Sequence, residues 1–197
     1  MTKVLSAIAL ASQSPRRREL LQGIGLAVTV IGSDFDEKAE SWDRDPATLA
    51  LDFARRKASA AQPGGPPIVI AADTIVEIDG QILGKPDDAT HAAWMLRKLS
   101  GREHTVHTGF AVIDRAAQQQ RNGVEATRVR FLPLSEAQIA GYVSSGDPLD
   151  KAGAYGIQGR GGLLVSSIDG DFYTVMGLPL ARVGVALAQL GYDLIAQ

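Results

Sequence analysis

Apolar residues in this chain fall into short runs broken by small polar residues and by Gly or Pro turns. Val4 to Leu10 reads as a strand that ends at Ser12 and Ser14. Ser14 predicts an N-cap and Pro15 the first helical position, where a missing N–H costs nothing. Leu20, Leu21 and Ile24 then recur at helical spacing and predict a core-facing stripe. Ala27–Ile31, rich in Val and Ile, predicts a second strand. Asp45-Pro46 opens a helix running to about Ala61, with Leu49 and Phe53 inward. Gln62–Pro67 is a turn-rich connection. Ile68–Ala72 reads as a buried strand running into Asp73-Thr74, after which Ile75–Ile78 resumes the strand pattern. Asp79-Gly80 predicts a hairpin turn returning through Ile82-Leu83.

Farther on, Asp87 to Leu99 predicts a helix with Ala92, Met95, Leu96 and Leu99 inward, stopped at Ser100-Gly101 by a left-handed cap. Two long strands, His104–Ile113 and Val124–Leu132, form an antiparallel pair joined by the polar Gln118–Gly123. Ser135-Glu136 opens another helix that ends near Gly146. Leu163–Ile168 and Tyr173–Met176 read as strands, and Pro179–Leu190 as a closing helix. Before these, Asp150 to Gly162 holds five glycines in thirteen residues. Such a run is either a loose surface loop or backbone shaped around something. Asp150, Lys151, Gln158 and Arg160 favour the second reading.

Composition narrows the chemistry. The 197 residues are 45% hydrophobic and 21% charged, as in a globular domain. There is no cysteine, which removes disulfides, thiolate metal sites and cysteine nucleophiles. The Val4–Leu10 run is too short to span a membrane. A net charge of -2 argues against stable nucleic-acid binding, and a cytoplasmic location is the expectation. Ser135 and Ser144 lack a G-x-S-x-G context, and His91, His104 and His107 form no H-E-x-x-H pair. His104 and His107, three apart on a strand, face opposite sides.

What remains is carboxylates and cations. The mouth of the first helix collects backbone N–H groups, the Ser12 and Ser14 hydroxyls, and Arg16, Arg17 and Arg18. That set is either ordinary capping with a solvated basic face or a phosphate cradle. Asp73, after an apolar strand, is either a turn aspartate or the site acid of an α/β sheet. Arg55, Arg56 and Lys57 complement the end of their helix, and Lys57 is also a candidate phosphate partner. Asp34, Asp36, Glu37 and Asp73 can hold a hard divalent ion, while Arg16, Lys57, Lys85 and Lys151 can neutralise a polyphosphate. Acid-held metal beside phosphate-binding cations is what water attack on a phosphoanhydride requires.

Five segments in order resemble the Maf family: Ala11 to Leu21, Ala72 to Val76, Leu83 to Pro86, Ser100 to His104, and Ile157–Gly159 through Gly177–Leu180. The resemblance implies an α/β fold over residues 1–197, a single domain of two lobes. In it, helices flank an elongated, mixed, strongly bent sheet with a central cleft, similar to inosine triphosphate pyrophosphatases. It implies a nucleoside triphosphate pyrophosphatase using a divalent cation, Mg or Mn, and forming a homodimer. The segment Asp150–Gly159 is similar to the branch that cleaves dTTP and UTP. The branch acting on 7-methyl-GTP has Glu in place of Gln158. By the same resemblance Asp73 is the proton acceptor and Arg16, Thr74 and Gln158 set base specificity. Ser12, Ser14, Arg17, Lys57 and Lys85 bind substrate, and Glu37 with Asp73 holds the metal. Asp171 and Phe172 depart from the branch, which has Ser and Tyr there. A nucleotide-binding regulator of septum formation without turnover is the reading from another class.

Overall fold

Three helices start where the sequence places them, at Ser14, Asp45 and Ser135. The computed structural model describes residues 3–36 and 42–196, so Glu37 lies outside the described residues. Ser14 caps α1 (Pro15–Gly23), its hydroxyl accepting from the Arg17 N–H at 3.5 Å. Asp45 caps α2 (Pro46–Ser59) through the Thr48 N–H at 2.8 Å, and Asp88 caps α3 (Ala89–Leu99) through the His91 N–H at 2.7 Å. Ser135 and Gln138 form a reciprocal capping box at the start of α4 (Glu136–Val143). The last helices are α5 (Phe172–Met176) and α6 (Leu180–Gln189).

The strands are β1 (Ala7–Leu10), β2 (Ala27–Val30), β3 (Ile68–Ile78), β4 (Gln81–Leu83), β5 (Glu103–Asp114), β6 (Gln119–Phe131) and β7 (Val165–Asp169). They make one mixed sheet, ordered β2-β1-β3-β5-β6-β7 with β4 paired to β3, and the helices flank it. β1 runs parallel to both β2 and β3, with Leu10 opposite Val30 and Ile70. β3 and β4 form the expected hairpin, Ile78 opposite Gln81, with left-handed Asp79 and Gly80 in its turn. β7 runs antiparallel to β6.

By contacts the chain divides into two compact units. The first comprises Met1–Asp73, Thr108–Glu125 and Gly177–Gln197; the second comprises Thr74–His107 and Ala126–Met176. In the first, Ala58 of α2 packs on Ala9, Val69, Ala71 and Ala111. Phe53 and Leu49 of the same helix are fully buried. Burying each contributes about 2 kcal/mol. In the second, Ala92, Met95, Leu96 and Leu99 of α3 pack with Phe131, Ile139, Tyr142 and Tyr155, so the predicted stripe is the observed one.

Four local expectations are corrected. β3 does not break at Asp73-Thr74 but continues to Ile78, so Asp73 sits within a strand. Ile24 caps the end of α1 and is 40% exposed, one residue past the point where the stripe can face inward. Residues Gln119 to Gly123 belong to β6 rather than to a loop, because the turn is completed at 115–118. Tyr173–Met176 is helical, not extended. The Asp171 carboxylate accepts from both the N–H (2.6 Å) and the hydroxyl (2.7 Å) of Thr174, which closes a helical turn. Ser and Asp both serve at such a cap.

Candidate active site

Parallel pairing in the first unit sends three strands in one direction. Past Leu10 the chain enters Ser12–Arg16, and past Val30 it enters Ser33 and Asp34. β3, in register with β1 at Ile70, reaches Asp73 three residues later. Ser12–Arg16, Ser33 and Asp34 thus lie past the carboxyl ends of β1 and β2, where α/β sheets place ligands, and Asp73 lies within β3 beyond its parallel pairing with β1.

Asp73 is 5% exposed although it carries a carboxylate. A buried charge needs a partner, and α2 supplies it: the Lys57 ammonium donates to Asp73 Oδ1. The Lys57 side chain is itself only 12% exposed. Its helix is held at that end by Ser33, whose hydroxyl donates to the Lys57 carbonyl at 3.0 Å. Lys57 therefore does more than complement the end of α2. Its neighbour Arg56 lies over the Phe35 ring, 4.4 Å from the centroid. Asp34 accepts from the Gln62 amide at 3.0 Å.

At the mouth of α1 the three arginines diverge, as helical spacing requires. Arg17 turns inward: its Nε donates to the Gly177 carbonyl at 2.7 Å and its Nη1 to Ser12 Oγ at 3.0 Å. Ser12 Oγ also accepts from the Ser14 N–H at 3.3 Å. Arg17 is thus a brace that sets the shape of the mouth. Arg16 is half-buried on the first turn and Arg18 is exposed. The partnership with Gly177 spans 160 positions, and no local signal announces it.

Thr74, Lys85 and Gln158 belong to the second unit. Thr74 is half-buried in β3, and Lys85 is exposed after β4. Gln158 is exposed, with extended backbone, ahead of a short 3-10 turn at Gly159–Leu164. Lys151 is not available as a polyphosphate partner in the way its charge suggests, since its ammonium is bonded to the Asp147 carbonyl and to the carboxylates of Asp147 and Asp150. Among the described residues no three His, Cys, Asp or Glu side chains cluster as a metal site. Asp73 offers a hard oxygen donor of the kind Mg or Mn takes, and such ions use one or two protein carboxylates with phosphate oxygens. The donor set fits.

A family model described as Maf-like protein matches residues 7–190. The chain belongs to the Maf family. Among its relatives is a dTTP/UTP pyrophosphatase of Symbiobacterium thermophilum, 49% identical over 193 residues, covering 96% of this chain and 97% of the relative. A dTTP/UTP pyrophosphatase of Carboxydothermus hydrogenoformans is 44% identical over 94% of this chain and 99% of its own. Among solved structures, a HAM1 protein from Coxiella burnetii is similar at 17% identity and a TM-score of 0.46, over 94% of this chain and 100% of that one. Within the Maf match lie the mouth of α1, Lys57, Asp73 and Gln158. No helix among the described residues is long and apolar enough to cross a membrane.

Proposed function

We propose that this Maf-family chain is a nucleoside triphosphate pyrophosphatase that hydrolyses dTTP and UTP to the monophosphate and pyrophosphate. The observation that carries the reading is the buried Lys57–Asp73 pair in the same unit as the basic mouth of α1. Its relatives named dTTP/UTP pyrophosphatase support the choice of substrate.

The residues divide the work by their chemistry. The Ser12 and Ser14 hydroxyls and the Arg16 guanidinium bind phosphate oxygens at the positive end of the α1 dipole, while Arg17 holds Ser12 in place. Asp73 accepts a proton from the attacking water, and Lys57 orients that carboxylate. Attack at the α phosphorus breaks its bond to the bridging oxygen, and pyrophosphate leaves. In the second unit we assign phosphate neutralisation to Lys85 and base selection to Thr74 and Gln158. The Gln158 amide offers both a donor and an acceptor to a pyrimidine edge. Asp73 and Glu37 would hold a Mg or Mn ion, which supplies charge neutralisation and polarisation at the phosphoryl oxygens. The homodimer is what the family resemblance implies, and the cytoplasm is the location the sequence leads one to expect.

Incubation with a panel of nucleoside triphosphates, with Mg, with Mn and with chelator, tests the reading. Monophosphate and pyrophosphate from dTTP and UTP, lost on chelation, are expected. Diphosphate and orthophosphate would place the cleavage elsewhere, and tight nucleotide binding without products would favour the regulator. Asp73→Asn should lower kcat by about 10²- to 10⁴-fold, the range for a lost general base, with KM little changed. Near-native turnover would remove Asp73 from its role.

A further inference from the structure

We propose that Tyr142, with Asp147 and Lys151, is a positioning device that holds the glycine-rich segment so that Gln158 presents its amide to the base of the substrate. The proposal rests on the pyrimidine triphosphate reading above and names residues that the reading does not use. Tyr142 lies on α4, is 5% exposed, and belongs to the core of the second unit. Its hydroxyl donates to Asp147 Oδ2 at 2.6 Å and accepts from the Gly156 N–H at 3.2 Å. One phenol therefore ties the end of α4 to the backbone two residues before Gln158.

Lys151 completes the brace. Its ammonium donates to the Asp147 carbonyl (2.5 Å), to Asp147 Oδ1 (2.9 Å) and to Asp150 Oδ1 (2.7 Å). Its stem runs against Gly156, where an added Cβ would come within 2.9 Å of Lys151 Cε. The other side of Gln158 is equally confined. A Cβ at Gly161 would lie 1.9 Å from the Gly156 carbonyl oxygen and 2.7 Å from the Tyr142 hydroxyl. Gly156 and Gly161 thus pin the backbone on both sides of Gln158, and the phenol oxygen touches both pins.

Upstream, the Gly153 N–H donates to the Gly84 carbonyl at 3.1 Å, next to Lys85. Ala154, fully buried, is held at a φ of 59°, in the left-handed region that disfavours a side chain. Such a conformation persists only where surrounding contacts dictate it. The glycines are therefore not a loose loop: their lack of side chains lets the segment fold on itself against the Tyr142 hydroxyl, with Gln158 exposed.

Tyr142→Phe keeps the ring and removes the bonds. For dTTP and UTP, KM should rise about fivefold, the scale of one lost hydrogen bond, with kcat within about twofold. The preference for pyrimidine over purine triphosphates should narrow by the same factor. In a Gln158→Ala background the same substitution should change KM no further. Lys151→Met, which keeps the stem, should repeat the pattern. Hydrogen exchange should speed up at residues 153–162 in both variants. An unchanged KM, an equal rise for every nucleotide, or effects that add to those of Gln158→Ala would overturn the proposal. If the native protein cleaves no nucleotide, the functional reading falls by itself, and unaltered exchange at 153–162 would then sink the brace separately.

Discussion

His104 and Asp73 are both buried and titratable, and the fold treats them differently. Asp73 keeps a charge partner in Lys57. Among the described residues His104 has no ion-pair partner: it is wedged against Phe131 and Tyr155, its Nε2 in a 2.8 Å hydrogen bond with the Tyr155 hydroxyl. Burial pulls its imidazole down from 6.5 to about 4. Between those values the unfolded chain binds a proton that the folded chain refuses. The stability from His104 is therefore complete above pH 6.5 and drains away as the pH falls toward 4. From this residue, urea unfolding at pH 5 should give about 2 kcal/mol less stability than at pH 7.5. His104→Gln should flatten that difference, and an unchanged slope would show that the imidazole does not carry it. The sequence put His104 and His107 on opposite faces of a strand, as alternation demands, but had nothing to say about the phenol waiting for one of them.

At the scale of elements, the approach of α2 to β5 decides where Lys57 ends up. Gly109 of β5 has no room for a side chain, since a Cβ there would lie 2.2 Å from the Ala50 carbonyl oxygen and 2.6 Å from the Leu51 nitrogen. Backbone meets backbone, and α2 sits deeper than any other residue would allow. Gly109→Ala should push the helix outward and cost about 1–3 kcal/mol, read from thermal unfolding. Because that helix carries Lys57, turnover of dTTP by the remaining folded protein should fall too; native turnover would show that the depth of α2 is irrelevant to the pair. This close approach was not legible, because a glycine in a strand looks the same whether it faces solvent or a helix. Caps were legible at Ser14, Asp45 and Ser135, because each satisfies an N–H group within three residues of itself. Tyr173–Met176 was misread as a strand because α5 is only five residues long and its aromatic, β-branched composition also suits a strand.

Across the whole molecule, a homodimer should show twice the chain mass in light scattering at micromolar concentration, and a monomer mass there would remove that part of the proposal. The sequence alone determined where many elements begin and turn: the starts of β2 and β3, the Asp79-Gly80 hairpin, the buried stripe of α3, and the residue types around the mouth of α1. Those signals act over a few positions through backbone stereochemistry and the period of helix or strand, so they survive without knowledge of the fold. Tertiary structure decided which distant groups meet. The Lys57–Asp73 pair, 16 positions apart, and the Arg17–Gly177 bond, 160 apart, depend on strand register and on how deeply a helix beds down. Those are properties of packing between segments, and no segment contains them.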